Sequence, residues 1–351
     1  MNYWRLVDKL PFKKALKSIL VENDFIKNST FYKKILDLLI QKRIQGYEKG
    51  PEIVLIENTN YCNAKCVMCP HSTGFKRQKR TMSFELFKKI ADEMAQTNIK
   101  RLQITGTGEP MLDNNLSEKI EYSKKKGIEE VNIFTNGSLL TEEIGIRIID
   151  SGLDLITFSF DGIEKSVFEK IRIGLEYDTV TGNILNFLKL KKKKNAIKPH
   201  VFINSFVIKN NYDYFNLPLI KEINSHVDHW SLNPFEQETH SWGGGVTLLS
   251  SKNNHDLQAK DFNIPCRRLW SSFNILWDGQ IVPCCMDYEG LHNFKNISNN
   301  RLIDIWLSAE YEKFRELHMH KKIEKIEMCR KCSERLSWIP KNTARMMDMV
   351  S

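Results

Sequence analysis

The sequence predicts an α/β fold, a partial (β/α)6 TIM-like barrel followed by a small C-terminal α+β domain. Between residues 51 and 235, strand-like apolar runs alternate with amphipathic helical patterns. Such alternation is typical of a parallel sheet whose strands are joined by right-handed helical crossovers. Beyond residue 236 the alternation stops, and a hairpin signal and clustered cysteines follow.

Each predicted strand is a short run rich in β-branched or aromatic residues. The strands are predicted at 51–59, 102–105, 131–134, 155–158, 201–207 and 229–232. The helices between them are predicted at 83–96, 117–126, 141–150, 166–194 and 213–224. Ser83 is in position to cap the first helix, with Met82 and Phe87 as the hydrophobic pair at its entry.

The composition is that of a globular protein, because 41% of the 351 residues are hydrophobic and 27% are charged. The net charge is +9, and residues 1–50 carry eleven Lys or Arg against five Asp or Glu. Since the rest of the chain is nearly balanced, we expect no nucleic-acid partner. Lys191 to Lys194 are expected at a helix end, where cations interact favourably with the helix dipole.

Residues 1–50 are predicted to form a basic helical extension. Two amphipathic patterns in it favour packing against the barrel, and contact with a membrane surface or a carrier-bound substrate is the alternative. No apolar run is long enough to cross a bilayer, and charges interrupt the first twenty residues. We therefore expect a cytoplasmic protein.

The eight cysteines are clustered at spacings that favour metal binding over disulfides in a reducing compartment. Cys62, Cys66 and Cys69 follow the first predicted strand, at spacings of four and three residues. Three thiolates can hold three irons of a cubane cluster and leave the fourth iron open. A zinc site is the alternative, and it would need His71 as its fourth ligand.

Polar or glycine-rich turns follow three further strands, at 106–110, 135–137 and 159–162. In parallel α/β folds, ligands bind at the carboxyl edge of the sheet. The cysteine loop and these three turns are therefore expected to share one rim.

These residues resemble the radical S-adenosylmethionine (SAM) superfamily over about residues 51–235. The resemblance rests on the CxxxCxxC loop after the first strand and a GGEP-like turn, here Gly-Thr-Gly-Glu-Pro, after the second. Two positions depart from the family pattern: Met68 stands where an aromatic residue is frequent, and Thr107 is inserted between the two glycines.

The resemblance implies that Cys62, Cys66 and Cys69 bind a [4Fe-4S] cluster whose open iron is chelated by SAM. Reductive cleavage of SAM would then give a 5′-deoxyadenosyl radical that removes a hydrogen atom from the substrate. The expected SAM-binding residues are Gly106, Gly108, Glu109, Asn136, Ser159, Asp161 and Arg172. For Arg172, an exposed arginine at a helix end is the ordinary alternative.

The C-terminal region is divided into a linker or rim loop at 236–265 and a small domain at 266–351. Asp278-Gly279 predicts a hairpin turn, a helix is expected near 302–317, and a CxxC pair closes the pattern. By chemistry alone, zinc and an iron–sulfur cluster fit these cysteines equally well.

The order of these elements resembles the SPASM or twitch extension of radical SAM enzymes. That resemblance implies one auxiliary [4Fe-4S] cluster. Its expected ligands are Cys266, Cys284, Cys329 and Cys332. Cys285 is left over, and it is either an inert thiol, a hydrogen-atom donor or an alternative cluster ligand.

The leading functional hypothesis is oxidation of a sugar or aminocyclitol-like small molecule, with the auxiliary cluster as electron acceptor. A radical epimerase that uses Cys285 as hydrogen donor and a peptide-modifying maturase are the alternatives. A two-site zinc protein is the non-catalytic hypothesis. The expected partners are the small-molecule substrate and a reductant such as flavodoxin or ferredoxin.

Overall fold

A computed structural model describes residues 41, 44–97, 99–207, 214–234, 265–330 and 332. Most of the predicted N-terminal extension and of the predicted linker at 236–265 lies outside these residues, as does the end of the C-terminal domain. The three predicted domain boundaries stay predictions. Within the described ranges, no helix is long and apolar enough to span a bilayer.

One eight-stranded sheet organises the described residues, in the spatial order β6-β5-β4-β3-β2-β1-β7-β8. Strands β1 to β6 are parallel and follow one another in sequence order. They are β1 (Ile53–Ile56), β2 (Arg101–Ile104), β3 (Glu130–Thr135), β4 (Leu155–Ser159), β5 (His200–Val207) and β6 (His229–Pro234). This order confirms the predicted partial barrel.

Helices connect the parallel strands. They are α1 (Phe84–Ala95), α2 (Leu116–Lys125), α3 (Glu142–Asp150), α4 (Lys165–Ile171), α5 (Tyr177–Lys193) and α6 (Pro218–Asn224). Ser83 caps α1 as predicted, because its side chain accepts a hydrogen bond from the Leu86 N–H.

The prediction of a single helix over 166–194 is wrong. The chain leaves the helical conformation after Ile171 and resumes it at Tyr177, and Gly174 has a φ of +93°. A side chain at Gly174 would lie 3.2 Å from the carbonyl oxygen of Asn63. The break therefore lets this segment lie directly against the cysteine loop, where a continuous helix would not fit.

Opposite faces of the sheet have different chemistry. The face that packs on the helices is apolar and buried, and Phe158 on β4, for example, makes an edge contact with Phe187 on α5. The alternate residues of β5 and β6 on the other face are partly exposed, and several are polar. This is the alternation expected when one face of each strand forms the core and the other lines a cavity.

The C-terminal hairpin extends the same sheet. Strand β7 (Ser272–Ile275) pairs in parallel with β1, and β8 (Ile281–Val282) pairs antiparallel with β7. Gly279 has a φ of +85° in the turn between them, as the predicted hairpin requires. Strand β1 therefore has hydrogen-bonded neighbours on both edges.

Short helices complete the described C-terminal residues. They are α7 (Arg268–Ser271), α8 (Leu302–Trp306), α9 (Ala309–Met319) and α10 (Glu327–Arg330). The single helix expected near 302–317 is wrong, because the chain starts a second helix at Ala309. Ser308 caps this second helix by accepting a hydrogen bond from the Tyr311 N–H.

Candidate active site

The loop that carries Cys62, Cys66 and Cys69 begins just beyond the carboxyl end of β1. Two backbone hydrogen bonds hold it against the segment after α4, from Lys65 N to Ile173 O (2.8 Å) and from Val67 N to Ile171 O (3.0 Å). All eight cysteines of the chain are free thiols. The loop is therefore fixed by main-chain contacts that leave its sulfur atoms available to a metal cluster.

Burial disfavours the charged form of Cys62 and Cys69. It raises the pKa of Cys62 to about 11 and that of Cys69 to about 12, and the neighbouring Cys66 adds to both shifts. Thiolates at these two positions need a cationic centre to hold them deprotonated. The donor set therefore fits a cluster with three cysteine ligands.

A single metal ion fits this loop less well. Within the described ranges, no three His, Cys, Asp or Glu side chains meet as closely as the ligands of one ion. A cubane places its thiolates on different irons and so spaces them more widely. His71, the fourth ligand that zinc would need, has its ring against that of Phe75, with the two centroids 4.9 Å apart.

The Gly-Thr-Gly-Glu-Pro turn lies directly beside this loop. A side chain at Gly106 would lie 2.8 Å from Cγ of Glu57, and one at Gly108 would lie 2.2 Å from the carbonyl oxygen of Thr59. The N–H of Glu109 donates to the carbonyl oxygen of Tyr61 at 2.8 Å. Both glycines are thus required by the close approach of β1 and its loop.

Glu109 presents a buried carboxylate at this turn, with 2% of its surface exposed. One oxygen accepts from the Thr135 hydroxyl (2.7 Å) and the Met111 N–H (3.2 Å), and the other accepts from the Asn136 N–H (2.8 Å). Burial raises the pKa of Glu109 although these donors favour its charged form. A cation bound beside it, such as the SAM ammonium, would offset that burial.

Arg172 lies between the cysteine loop and Asp161. Its guanidinium forms an ion pair with Asp161 at 2.5 Å, and Nη1 is 3.5 Å from Sγ of Cys66. Burial opposes the charge of Arg172, but Asp161 and Cys66 hold its pKa above the usual value. The alternative of an exposed arginine is wrong, because only 14% of the side chain is accessible.

The other predicted SAM-binding residues lie at the same rim. Asn136 donates to the side-chain oxygen of Asn63 at 3.0 Å, which joins the third strand to the cysteine loop. Asp161 also accepts from the Phe206 N–H at 2.7 Å. Ser159 ends β4 and is partly exposed. Their roles in binding SAM stay predictions.

A second group of thiols lies in the C-terminal region. Cys284 is buried, and burial together with its neighbours Cys285, Cys266 and Cys329 raises its pKa well above the ordinary value. The N–H of Cys332 donates to the carbonyl oxygen of Cys329 at 3.2 Å. Cysteines that are remote in sequence are therefore brought together, and their donor set fits an auxiliary cluster.

Comparison with known families decides the assignment. A model of the radical SAM superfamily matches residues 56–216, and one of SPASM, an iron–sulfur cluster-binding domain, matches residues 266–333. The chain belongs to the radical SAM superfamily. This radical SAM protein therefore carries SAM and [4Fe-4S] clusters as its cofactors.

The proteins that this chain resembles are named with different molecules. The chain is 26% identical over 299 residues to the tungsten-containing aldehyde ferredoxin oxidoreductase cofactor-modifying protein of Pyrococcus furiosus, covering 74% of this chain and 82% of the relative. BtrN in complex with AdoMet and 2-DOIA is similar in fold, with a TM-score of 0.55, 16% identity, and coverage of 81% and 93%. Streptococcus suis SuiB bound to precursor peptide SuiA gives a TM-score of 0.59, 16% identity, and coverage of 87% and 76%.

Sequence patterns did not predict three polar groups of the β1, turn and β5 region. Glu57 and Arg77 form a buried ion pair next to the turn at Gly106. Asp113 and Lys119 form a second one behind that turn. The carboxamide of Asn204 lies on the open face of β5. The sequence held a signal for Glu57. An acidic residue within a predicted apolar strand is expected to be buried and therefore to need a charged or hydrogen-bonding partner.

Proposed function

We propose that this radical SAM enzyme abstracts a hydrogen atom from a hydroxyl-rich small molecule, such as a sugar or aminocyclitol, and oxidises it. When bound, the cluster and SAM supply the electron and the 5′-deoxyadenosyl radical. When a CH–OH group is oxidised, the substrate first loses the hydrogen atom on its carbon to the radical. It then loses one electron and one proton, and a carbonyl group forms. The auxiliary cluster is the proposed electron acceptor.

The observation that carries this proposal is a row of neutral polar side chains on the open face of the barrel. Ser159, Asn204 and Ser231 are neighbours across three adjacent strands. Asn233 lies further along β6, and its amide donates to the Asn204 side-chain oxygen at 2.7 Å. Hydroxyl and carboxamide groups both donate and accept, which matches the hydrogen bonding of substrate hydroxyls.

The charged residue two positions after Ser159 is already engaged in an ion pair. Asp161, two residues beyond Ser159, is 1% exposed and pairs with Arg172. The row itself therefore offers hydrogen bonds without a net charge. A carboxylate or phosphate substrate would need a cationic partner that the row does not provide.

The test is substrate-dependent release of 5′-deoxyadenosine by anaerobically reconstituted enzyme. Sugars and aminocyclitols are compared with peptides, with dithionite or reduced flavodoxin as reductant. We expect release with a polyhydroxylated substrate and formation of a carbonyl product. Release with peptides alone would refute the proposal.

Asn204→Leu should remove the central carboxamide with little change in volume. Two lost hydrogen bonds correspond to about 2 kcal/mol, or roughly thirtyfold in kcat/KM for the substrate. The affinity for SAM should stay unchanged. Asn299→Leu, at an exposed turn of the C-terminal region, is the matched control.

Epimerisation is a second candidate, and the position of Cys285 favours it. Cys285 is partly exposed and lines the same cavity as Gly106 and Thr107. A thiol there would transfer its hydrogen atom to a substrate radical. The resulting thiyl radical would take one electron from the flavodoxin-type or ferredoxin-type reductant and one proton from solvent.

Deuterium oxide separates the two candidates. Epimerisation incorporates solvent deuterium at the inverted carbon, and Cys285→Ala abolishes turnover to product while 5′-deoxyadenosine is still released. Under oxidation, Cys285→Ala has a mild effect, and no solvent deuterium enters the oxidised carbon.

A further inference from the structure

Glu57 is a buried carboxylate that joins three parts of the molecule. It follows the last residue of β1 and is 3% exposed. Its Oε2 accepts from the Thr107 hydroxyl at 2.6 Å, and its Oε1 lies 3.4 Å from the N–H of Trp277 in the C-terminal hairpin. The same side chain therefore contacts two regions. One is the Gly-Thr-Gly-Glu-Pro turn at 106–110, called the SAM turn below, and the other is the C-terminal region from residue 265, called the auxiliary region.

Arg77 neutralises Glu57 and extends the connection. Its two terminal nitrogens donate to both carboxylate oxygens at 2.6 to 2.9 Å. Its Nε donates to the carbonyl oxygen of Tyr288, four residues after Cys284. The neighbouring Lys76 N–H donates to the Glu289 carboxylate at 3.0 Å. A bidentate arginine pair of this kind fixes orientation as well as distance.

Thr107 connects this ion pair to the SAM turn. It is the residue inserted between the two glycines, and it is 4% exposed. Without Thr107, the turn would offer no side-chain donor to Glu57. The hydroxyl of Thr107 therefore gives the turn a contact that the usual glycine pair lacks.

We propose that Thr107, Glu57 and Arg77 act as one positioning unit that holds the SAM turn in place against the auxiliary region. None of the three needs to touch SAM. The unit fixes the main chain around Glu109, so it affects SAM binding through the turn. This inference rests on SAM as cofactor and is independent of the substrate proposed above.

Thr107→Val and Thr107→Ser provide the test. Valine keeps the volume of threonine and removes the hydroxyl, whereas serine keeps the hydroxyl. SAM affinity is measured by equilibrium dialysis against the reconstituted, unreduced holoprotein. We expect Thr107→Val to weaken binding about tenfold, as the loss of a hydrogen bond to a buried carboxylate implies, and Thr107→Ser to bind like the parent protein.

Iron content and circular dichroism are measured for both variants. If Thr107→Val binds SAM as tightly as the parent protein, the proposal is wrong. It is also wrong if Thr107→Ser loses affinity to the same extent, because the hydroxyl would then not be the group that matters.

A double variant tests whether the three residues act together. Arg77→Lys keeps the charge and removes the bidentate contact and the bond to Tyr288 O. We expect it to weaken SAM binding although Arg77 lies outside the turn. In Thr107→Val/Arg77→Lys the loss should be no larger than that of the more damaging single variant. If the fold-losses of SAM affinity in the two single variants multiply in the double variant, the two substitutions act independently and the proposal is wrong.

Discussion

The buried pair Lys119–Asp113 gives the sharpest stability prediction. The side chains of Lys119 and Asp113 are 0% and 1% exposed, and they meet at 2.7 Å behind the SAM turn. Lys119 also donates to the carbonyl oxygen of Met82 at 2.7 Å. Asn58 donates both to Asp113 (3.1 Å) and to the carbonyl oxygen of Pro110 (3.2 Å). The pair therefore supports the residue that follows Glu109.

Lys119→Met keeps the length of the side chain and removes its charge. Asp113 would then be a buried carboxylate whose cation is gone, a change that costs about 3 to 5 kcal/mol of unfolding free energy. For a domain of this size, about 2 to 4 °C per kcal/mol gives a fall in Tm of roughly 6 to 20 °C. SAM affinity should fall as well, because the turn loses its support.

The assay is thermal unfolding of the reconstituted protein, followed by circular dichroism. The control is Lys119→Met combined with Asp113→Asn, which removes both charges and should recover more than half of the lost stability. A fall in Tm below about 2 °C in the single variant would refute the reasoning. So would a double variant no more stable than the single one.

Three further changes have definite expected outcomes. Cys66→Ala should lower iron content from about eight to about four atoms per chain, measured by colorimetric iron analysis. Gly108→Ala places a methyl group 2.2 Å from the Thr59 carbonyl oxygen and should prevent folding or cluster loading. The control is Gly182→Ala in α5, where the added methyl group meets no neighbour and Tm should be equal or higher. Burial opposes ionisation of Asp154, but hydrogen bonds from two lysines outweigh it and lower its pKa. Asp154→Asn should therefore cost about 1 to 3 kcal/mol at pH 7, and the parent protein should lose this contribution as the pH falls through the lowered pKa, measured by urea unfolding at several pH values.

The elements that sequence patterns predict well are those with local causes. Apolar runs between polar turns place all six parallel strands within a few residues, and the N-cap at Ser83 is read from three neighbouring positions. The cysteine spacing and the turn at Gly106 identify the chemistry for the same reason. These signals lie within about ten residues of chain.

What sequence patterns do not predict are contacts between remote segments. The break at Gly174 looks like an ordinary helix interior until Asn63 is known to lie against it. Glu57 and Arg77 are separated by twenty residues, and their bond to Tyr288 spans more than two hundred. For Arg172, the sequence leaves an exposed helix end open as an alternative to SAM binding, because only the fold places Asp161 and Cys66 beside it.

Strand β1 couples the two cysteine-bearing regions of the chain. The cysteine loop leaves β1, whose edges pair with β2 and with β7 of the C-terminal hairpin. Removing residues from 265 onward would expose the backbone edge of β1 and withdraw the Trp277 and Tyr288 contacts from the Glu57–Arg77 pair. Unpaired edges and partly satisfied buried ions are both destabilising. The framework around the cysteine loop therefore includes the C-terminal hairpin.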